Sequence, residues 1–210
     1  MSLLECFIGI ALCGILLAPL LQTSAQLAHK QIEFEKTQLM VFEAERALEL
    51  IGRAIRIAGY RNIKSMKKIN QLDGANMIVV QKRSGYQGSD SLTIRHELSD
   101  GIDFDCLGNI LSADRTKKDL ALQGFMVDRQ AGLAKGAQPR GGSLICQSLD
   151  RQGRLQNTTL MSGVGHLNIE ELAGGPAGAL QRVFRVKLEM TDGAKIHKSV
   201  ERTFSTRNPS

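Results

Sequence analysis

The sequence predicts an α+β fold, with one long N-terminal helix followed by an antiparallel sheet domain. Three observations carry this expectation. Residues 1–21 form an apolar run broken by one charge, Glu5. Further on, Val41, Ala44, Leu48, Ile51, Ile55 and Ala58 recur at spacings of 3, 4, 3, 4 and 3, which is the period of a helix. Beyond Gly59 the pattern changes to short β-like runs bounded by Gly, Asp and Asn, as strands and turns require.

The first run is long enough to matter. At about 1.5 Å per residue it covers roughly 31 Å as a helix, close to one bilayer core. A carboxylate at that depth costs about 2.5–3.5 kcal/mol on insertion scales and is usually paired. No basic side chain precedes Lys30, so the cation that would pair Glu5 is sought outside this chain. Two plainer readings exist. A cleaved secretory signal has a positively charged start, which this run lacks. A simple anchor leaves Glu5 without a role.

Pro19 removes one backbone donor and crowds the carbonyl of Ile15, so a kink or local melting is expected there, with the helix resuming afterwards. Opposite the apolar stripe lie Glu43, Glu45, Arg46, Glu49, Arg53 and Arg56, with Glu49–Arg53 spaced as a favourable pair. Gly59 suits the position just past the helix end. One kinked helix over Ser2–Ala58 is therefore expected, its second half packing on the sheet. The chain divides into a membrane-spanning half-helix (1–22), an amphipathic half-helix (23–59) and a globular β-rich domain (60–210).

A basic connector follows, with Arg61, Lys64, Lys67 and Lys68. Expected strands are Met77–Lys82, Ser91–Leu98, Ile102–Cys106, Leu120–Val127, Ser143–Leu149, Met161–Leu172, Val183–Met190 and Ile196–Thr206. In the second of these, Leu92, Ile94, His96 and Leu98 share a face. The last two form a hairpin through Thr191-Asp192-Gly193-Ala194, where Asp-Gly favours a type I′ turn. Ala131–Gly142 and Ala173–Gly178 read as loops.

The chain has 210 residues, 42% apolar content, few aromatics and a net charge of +6. That allows one membrane segment plus one ordinary domain, and the modest basic excess serves solubility. Cys6 and Cys13 lie in the apolar segment as packing residues on one helix face. Cys106 and Cys146 lack metal-ligand spacing; if the domain is extracytoplasmic they form a disulfide, worth roughly 4 kcal/mol as an upper figure. His29, His96, His166 and His197 are isolated, and no phosphate loop, dinucleotide fingerprint or nucleophile elbow is present. No enzyme activity, metal or cofactor is expected.

Ser2-Leu3-Leu4-Glu5, with Ile8, Ile10-Ala11-Leu12 and Gly14-Ile15-Leu16, resembles the N-terminus of mature type IV pilins and pseudopilins. Ala58-Gly59-Tyr60, Ser89-Asp90-Ser91-Leu92-Thr93-Ile94-Arg95, Asp105-Cys106-Leu107-Gly108-Asn109, Leu144-Ile145-Cys146, Gly163-Val164 before a strand, and Arg207-Asn208 follow the order seen in PilW-type minor pilins. Met1 stands where Phe is usual, Cys6 and Cys13 depart from the pattern, and the tract Gln156–Leu160 matches only loosely.

The resemblance implies a pilin-like fold with a long kinked helix on an antiparallel sheet. It also implies removal of a basic leader by a prepilin peptidase, N-methylation of Met1, and pairing of Glu5 with the N-terminal amine of a neighbouring subunit. The Cys106/Cys146 pair matches the two cysteines of that pattern. The implied function is that of a minor pilin priming type IV pilus assembly at the tip. Its partners would be other minor pilins, the major pilin, the inner-membrane assembly machinery and a large tip adhesin. Its location would be the inner membrane, with a periplasmic domain, and then the filament; the processes served would be adhesion, twitching motility and DNA uptake. Two other readings stay open: a pseudopilin of a type II secretion system, and a module that binds DNA or a surface, through Arg61, Lys64, Lys67 and Lys68 in the case of DNA.

Overall fold

The computed structural model describes residues 3–62, 77–117, 120–130, 140–172 and 181–208, and of Leu3, Glu5 and Cys6 the backbone alone. The chain divides into two compact units, Met1–Met40 and Val41–Ser210. Helix α1 runs Leu3–Ile57 and belongs to both. It stays helical through Pro19, so the chain does not melt there. The Thr23 hydroxyl donates to the carbonyls of Pro19 and Leu20, both at 3.0 Å.

In the second unit the helix buries the expected stripe. Ala44, Leu48, Ile51, Ile55 and Ala58 are buried, joined by Ala47 and Ala54, while Val41 at the start is half-buried. Arg56 sits in the last turn, and Gly59 adopts φ +69° just beyond it, the left-handed conformation that ends many helices. The expected Glu49–Arg53 pair does not form. Glu49 instead meets Arg56 at 2.8 Å, two turns along.

The strands are β1 (Ile78–Gln81), β2 (Ser91–Glu97), β3 (Asp103–Phe104), β4 (Ile110–Leu111), β5 (Leu120–Arg129), β6 (Gly142–Leu149), β7 (Leu155–Leu172), β8 (Val183–Thr191) and β9 (His197–Ser205). Seven of them form one antiparallel sheet in the order β1-β2-β5-β6-β7-β8-β9, and β3 and β4 pair as a separate small hairpin. The observed architecture is α+β.

Alternation explains the core. Leu92, Ile94 and His96 on β2 face inward together with Ala121, Phe125 and Val127 on β5, Leu144 and Cys146 on β6, and Phe184, Val186, Leu188 and Met190 on β8. Gly52 is the point of closest approach between the helix and β9: a Cβ there would lie 2.3 Å from the Phe204 ring.

The sheet is curled, and one carboxylate holds the curl. Asp90, at the start of β2, is buried. Its carboxylate accepts Lys82 Nζ at 2.8 Å, the Ile169 amide at 2.9 Å and the Arg83 amide at 3.1 Å. The Asp90 amide donates to the Leu167 carbonyl at 2.8 Å, and Lys82 Nζ also reaches the Ile169 carbonyl. The β1–β2 connection is thereby tied to β7, three strands beyond β2 in the sheet order. Burial works against the charge on Asp90, but these donors outweigh it and hold its pKa below the ordinary value.

Three expectations need correction. The β8–β9 connection is not a two-residue type I′ turn. Thr191 pairs with His197, leaving five residues between, because the Asp192 carboxylate accepts the amides of Ala194, Lys195 and Ile196, each at 2.9 Å, and rounds the loop into a wider turn. Gly163-Val164 does not precede a strand; it lies inside β7, beside the register shift between Val164 and His166. The strand begins at Leu155, so Gln156–Leu160 is its first half. The loops expected at Ala131–Gly142 and Ala173–Gly178 fall largely outside the described residues.

Candidate functional site

The N-terminal half of α1 is the first candidate. Leu4, Phe7, Ile8, Ile10, Leu12, Ile15, Leu16, Leu17, Leu20 and Leu21 are all exposed. Residues at these positions point to every side of a helix, so the segment is apolar all round and not a surface helix with one packed stripe. By length and composition it is able to cross a membrane, and none of its most apolar window is buried in the chain's own fold. Gly9, Ile10, Cys13, Gly14 and Leu17 line a shallow apolar depression on it. Cys13 is an exposed free thiol.

Glu5 lies within the helical backbone, two residues past its start, while its side chain and all of Met1 lie outside the described residues.

The second candidate is the pair Cys106–Cys146, which is bonded, with Cα atoms 6.2 Å apart. The bond fastens the β3–β4 hairpin and its flanks, residues 99–117, to the central strand β6. This flap is also cross-linked internally. Buried Asp105 accepts the amides of Leu107 at 2.9 Å and Asn109 at 2.8 Å, and faces Arg115 at 3.5 Å. Asp103 accepts the Ser99 amide and hydroxyl at 2.6 and 2.8 Å.

Below the flap sits a buried polar cluster that the sequence did not reveal. His96 is fully buried. Its Nδ1 lies 3.0 Å from the Glu97 carbonyl, which makes Nδ1 the protonated nitrogen and leaves Nε2 to accept from Gln123 Nε2 at 3.4 Å. The same Gln123 nitrogen donates to the Phe104 carbonyl of the flap at 3.3 Å. Burial lowers the His96 pKa, against smaller raising effects of the Glu97 carbonyl and Asp103.

The basic connector gives no assembled patch among the described residues. Arg61 is half-buried, and Lys64, Lys67 and Lys68 lie outside the description. Next to Arg61, Asn62 bonds Glu97, Leu98 and Asp100, so this end of the connector is tied to the domain. His166 and His197, isolated in sequence, line one open groove of about 680 Å³ with Glu189 and Lys198 at the β8–β9 end of the sheet. Glu189 is engaged by Lys187 at 2.7 Å, and His166 Nε2 by the Gly88 carbonyl at 3.2 Å. No group of three His, Cys, Asp or Glu side chains able to hold a metal occurs among the described residues.

Two features were hidden in the sequence. The flap was hidden because β3 and β4 have two residues each, too short for any period to register. The Asp90 latch was hidden because its partners lie near and far along the chain; its only local sign is a carboxylate between two serines ahead of an apolar strand.

Compared with protein-family models, curated proteins and solved structures, the chain matches none of them. Its architecture, one long apolar N-terminal helix whose distal half packs on an antiparallel sheet, is pilin-like.

Proposed function

We propose that this chain is a minor pilin: a membrane-anchored subunit that primes assembly of a type IV pilus and resides at its tip beside other minor pilins. The observation that carries the reading is the helix of residues 3–21, apolar on every side, holding a single carboxylate at the fifth position, ahead of a sheet domain pinned by one disulfide. A helix with no apolar surface covered by its own fold needs lipid or neighbouring helices around it. A carboxylate in such surroundings is stable as a charge only beside a cation, and the N-terminal amine of an adjacent subunit is the cation that this reading supplies. A buried ion pair with one acceptable partner then sets register between helices.

The test is to shear filaments from cells that make the chain and to look for it by mass spectrometry against the major subunit. The reading predicts the chain in the filament fraction at low stoichiometry, and fewer filaments when its gene is deleted. A chain confined to the membrane fraction, with filament number unchanged by deletion, would refute it.

A further inference from the structure

After Val41, the large apolar side chains left exposed among the described residues are Phe42, Ile102, Phe104, Ile110 and Leu155. Three of these five lie on the flap. Phe104 pairs with Ile110 across β3–β4, so both project to the same side, and that side is outward, since the opposite pair Asp103–Leu111 includes buried Leu111. Phe104 is 49% exposed and Ile110 57%. These side chains are not loose: the disulfide, the Asp105 contacts and the Gln123 bond hold the strand that carries them. A rigid, exposed apolar cluster marks an interaction surface. Its charged neighbours are mainly acidic: Asp100, which accepts from Asn62 at 2.9 Å, and Asp114 are exposed and Asp103 is half-buried, while the one flap arginine, Arg115, turns to buried Asp105 and exposed Lys117 stands at the flap's far end.

The same unit carries a matching surface. On α1, Phe42, Arg46, Leu50, Arg53 and Ile57 follow at spacings of 4, 4, 3 and 4 and so form one stripe, on the side away from the buried stripe. Phe42 is 67% exposed, Arg46 and Arg53 are exposed, and Leu50 and Ile57 are half-buried. The neighbouring acids are engaged: Glu45 with Arg202 at 2.6 Å and Glu49 with Arg56 at 2.8 Å. Glu43, exposed and three residues before Arg46, borders the stripe. Among the described residues Arg46 and Arg53 make no ion pair or side-chain hydrogen bond.

We infer that the flap of one copy docks on the outward helix stripe of a second copy. Phe104 and Ile110 would meet Phe42 and Leu50, and Asp100 and Asp114 would face Arg46 and Arg53. The contact joins two different surfaces, so it is heterologous and each copy keeps one free surface of each kind. The inference stands on residues 42–117 and does not require the pilus reading.

The experiment uses the full chain in the membranes of producing cells, with a photo-crosslinking amino acid at position 104 and, as a control, at Arg185 on the polar sheet face. The expected result is an adduct of twice the chain mass from position 104, mapped by mass spectrometry to residues 42–57, and none from position 185. Arg46→Glu with Arg53→Glu should cut the yield roughly fivefold, because two attractive contacts become repulsive. Adding Asp100→Arg and Asp114→Arg should restore it, which a mere folding defect would not allow. No adduct, an adduct with another protein or another segment, or a yield indifferent to the charge reversal overturns the inference.

Discussion

Gly52 is the residue on which the helix–sheet contact turns. Phe204 lies against it, so any Cβ would overlap the ring, and Arg56 stacks over the same ring at 6.0 Å from its centroid. Gly52→Ala would ordinarily favour a helix, because glycine is a poor helix former. Here overpacking wins: the substitution should destabilise the domain by about 1–3 kcal/mol. Chemical denaturation of the detergent-solubilised chain measures it, and a stabilised variant would mean that Phe204 moves aside freely. The sequence shows a glycine one position after Ile51 in a helical stripe, but not the distant phenylalanine that needs it.

His96 carries the other residue-scale prediction. Its folded-state pKa lies below the ordinary 6.5 because burial disfavours the imidazolium. The unfolded chain therefore binds more protons than the native one between those two values. Stability should be constant above pH 6.5, fall as pH drops through that value, and level off once the folded-state pKa is passed. His96→Gln should flatten this segment of the profile. An unchanged slope in the variant would assign it to other groups. The lowered carboxylates Asp90, Glu171 and Glu189 act in a separate window, losing their contribution only as pH falls below their ordinary values of 3.8 and 4.5.

Among the elements, the distal half of α1 was the most legible, since five of the six apolar positions named by periodicity are buried. Leu48 is 1% exposed, and Leu48→Ala should cost about 2–5 kcal/mol in denaturant melts. A cost below about 0.5 kcal/mol would mean that the site collapses without loss or that the helix does not pack there. Strands were legible where alternation met burial, as in β2 and β8. They failed where register breaks: the start of β7 is mostly exposed and polar, and its bulge hides the strand's continuity. The hairpin after β8 failed for another reason. Asp-Gly suggests a two-residue turn, but the Asp192 side chain offers its amides a better set of hydrogen bonds in a wider one. The disulfide was legible because Cys106 and Cys146 are the cysteines outside the apolar segment; the flap it anchors was not.

At the scale of the whole molecule, two of the apolar surfaces that the described residues leave uncovered bear on function. One is the apolar helix of residues 3–21, where every side needs lipid or another helix. The other is the pair of apolar patches on the second unit, one with acidic and one with basic neighbours. Glu5 is the point at which the proposed role is most exposed to test, because its carboxylate has no basic side chain before Lys30.

The most direct measurement compares the wild-type chain with Glu5→Ala and Glu5→Gln for membrane insertion, domain stability and recovery in sheared filaments. The account predicts that both variants insert and fold as the wild type does, while their recovery in filaments falls, because neither an alanine nor an amide can neutralise a neighbouring subunit's amine. Normal recovery of both variants would contradict the role given to Glu5, and loss of insertion would reduce it to a defect of the anchor.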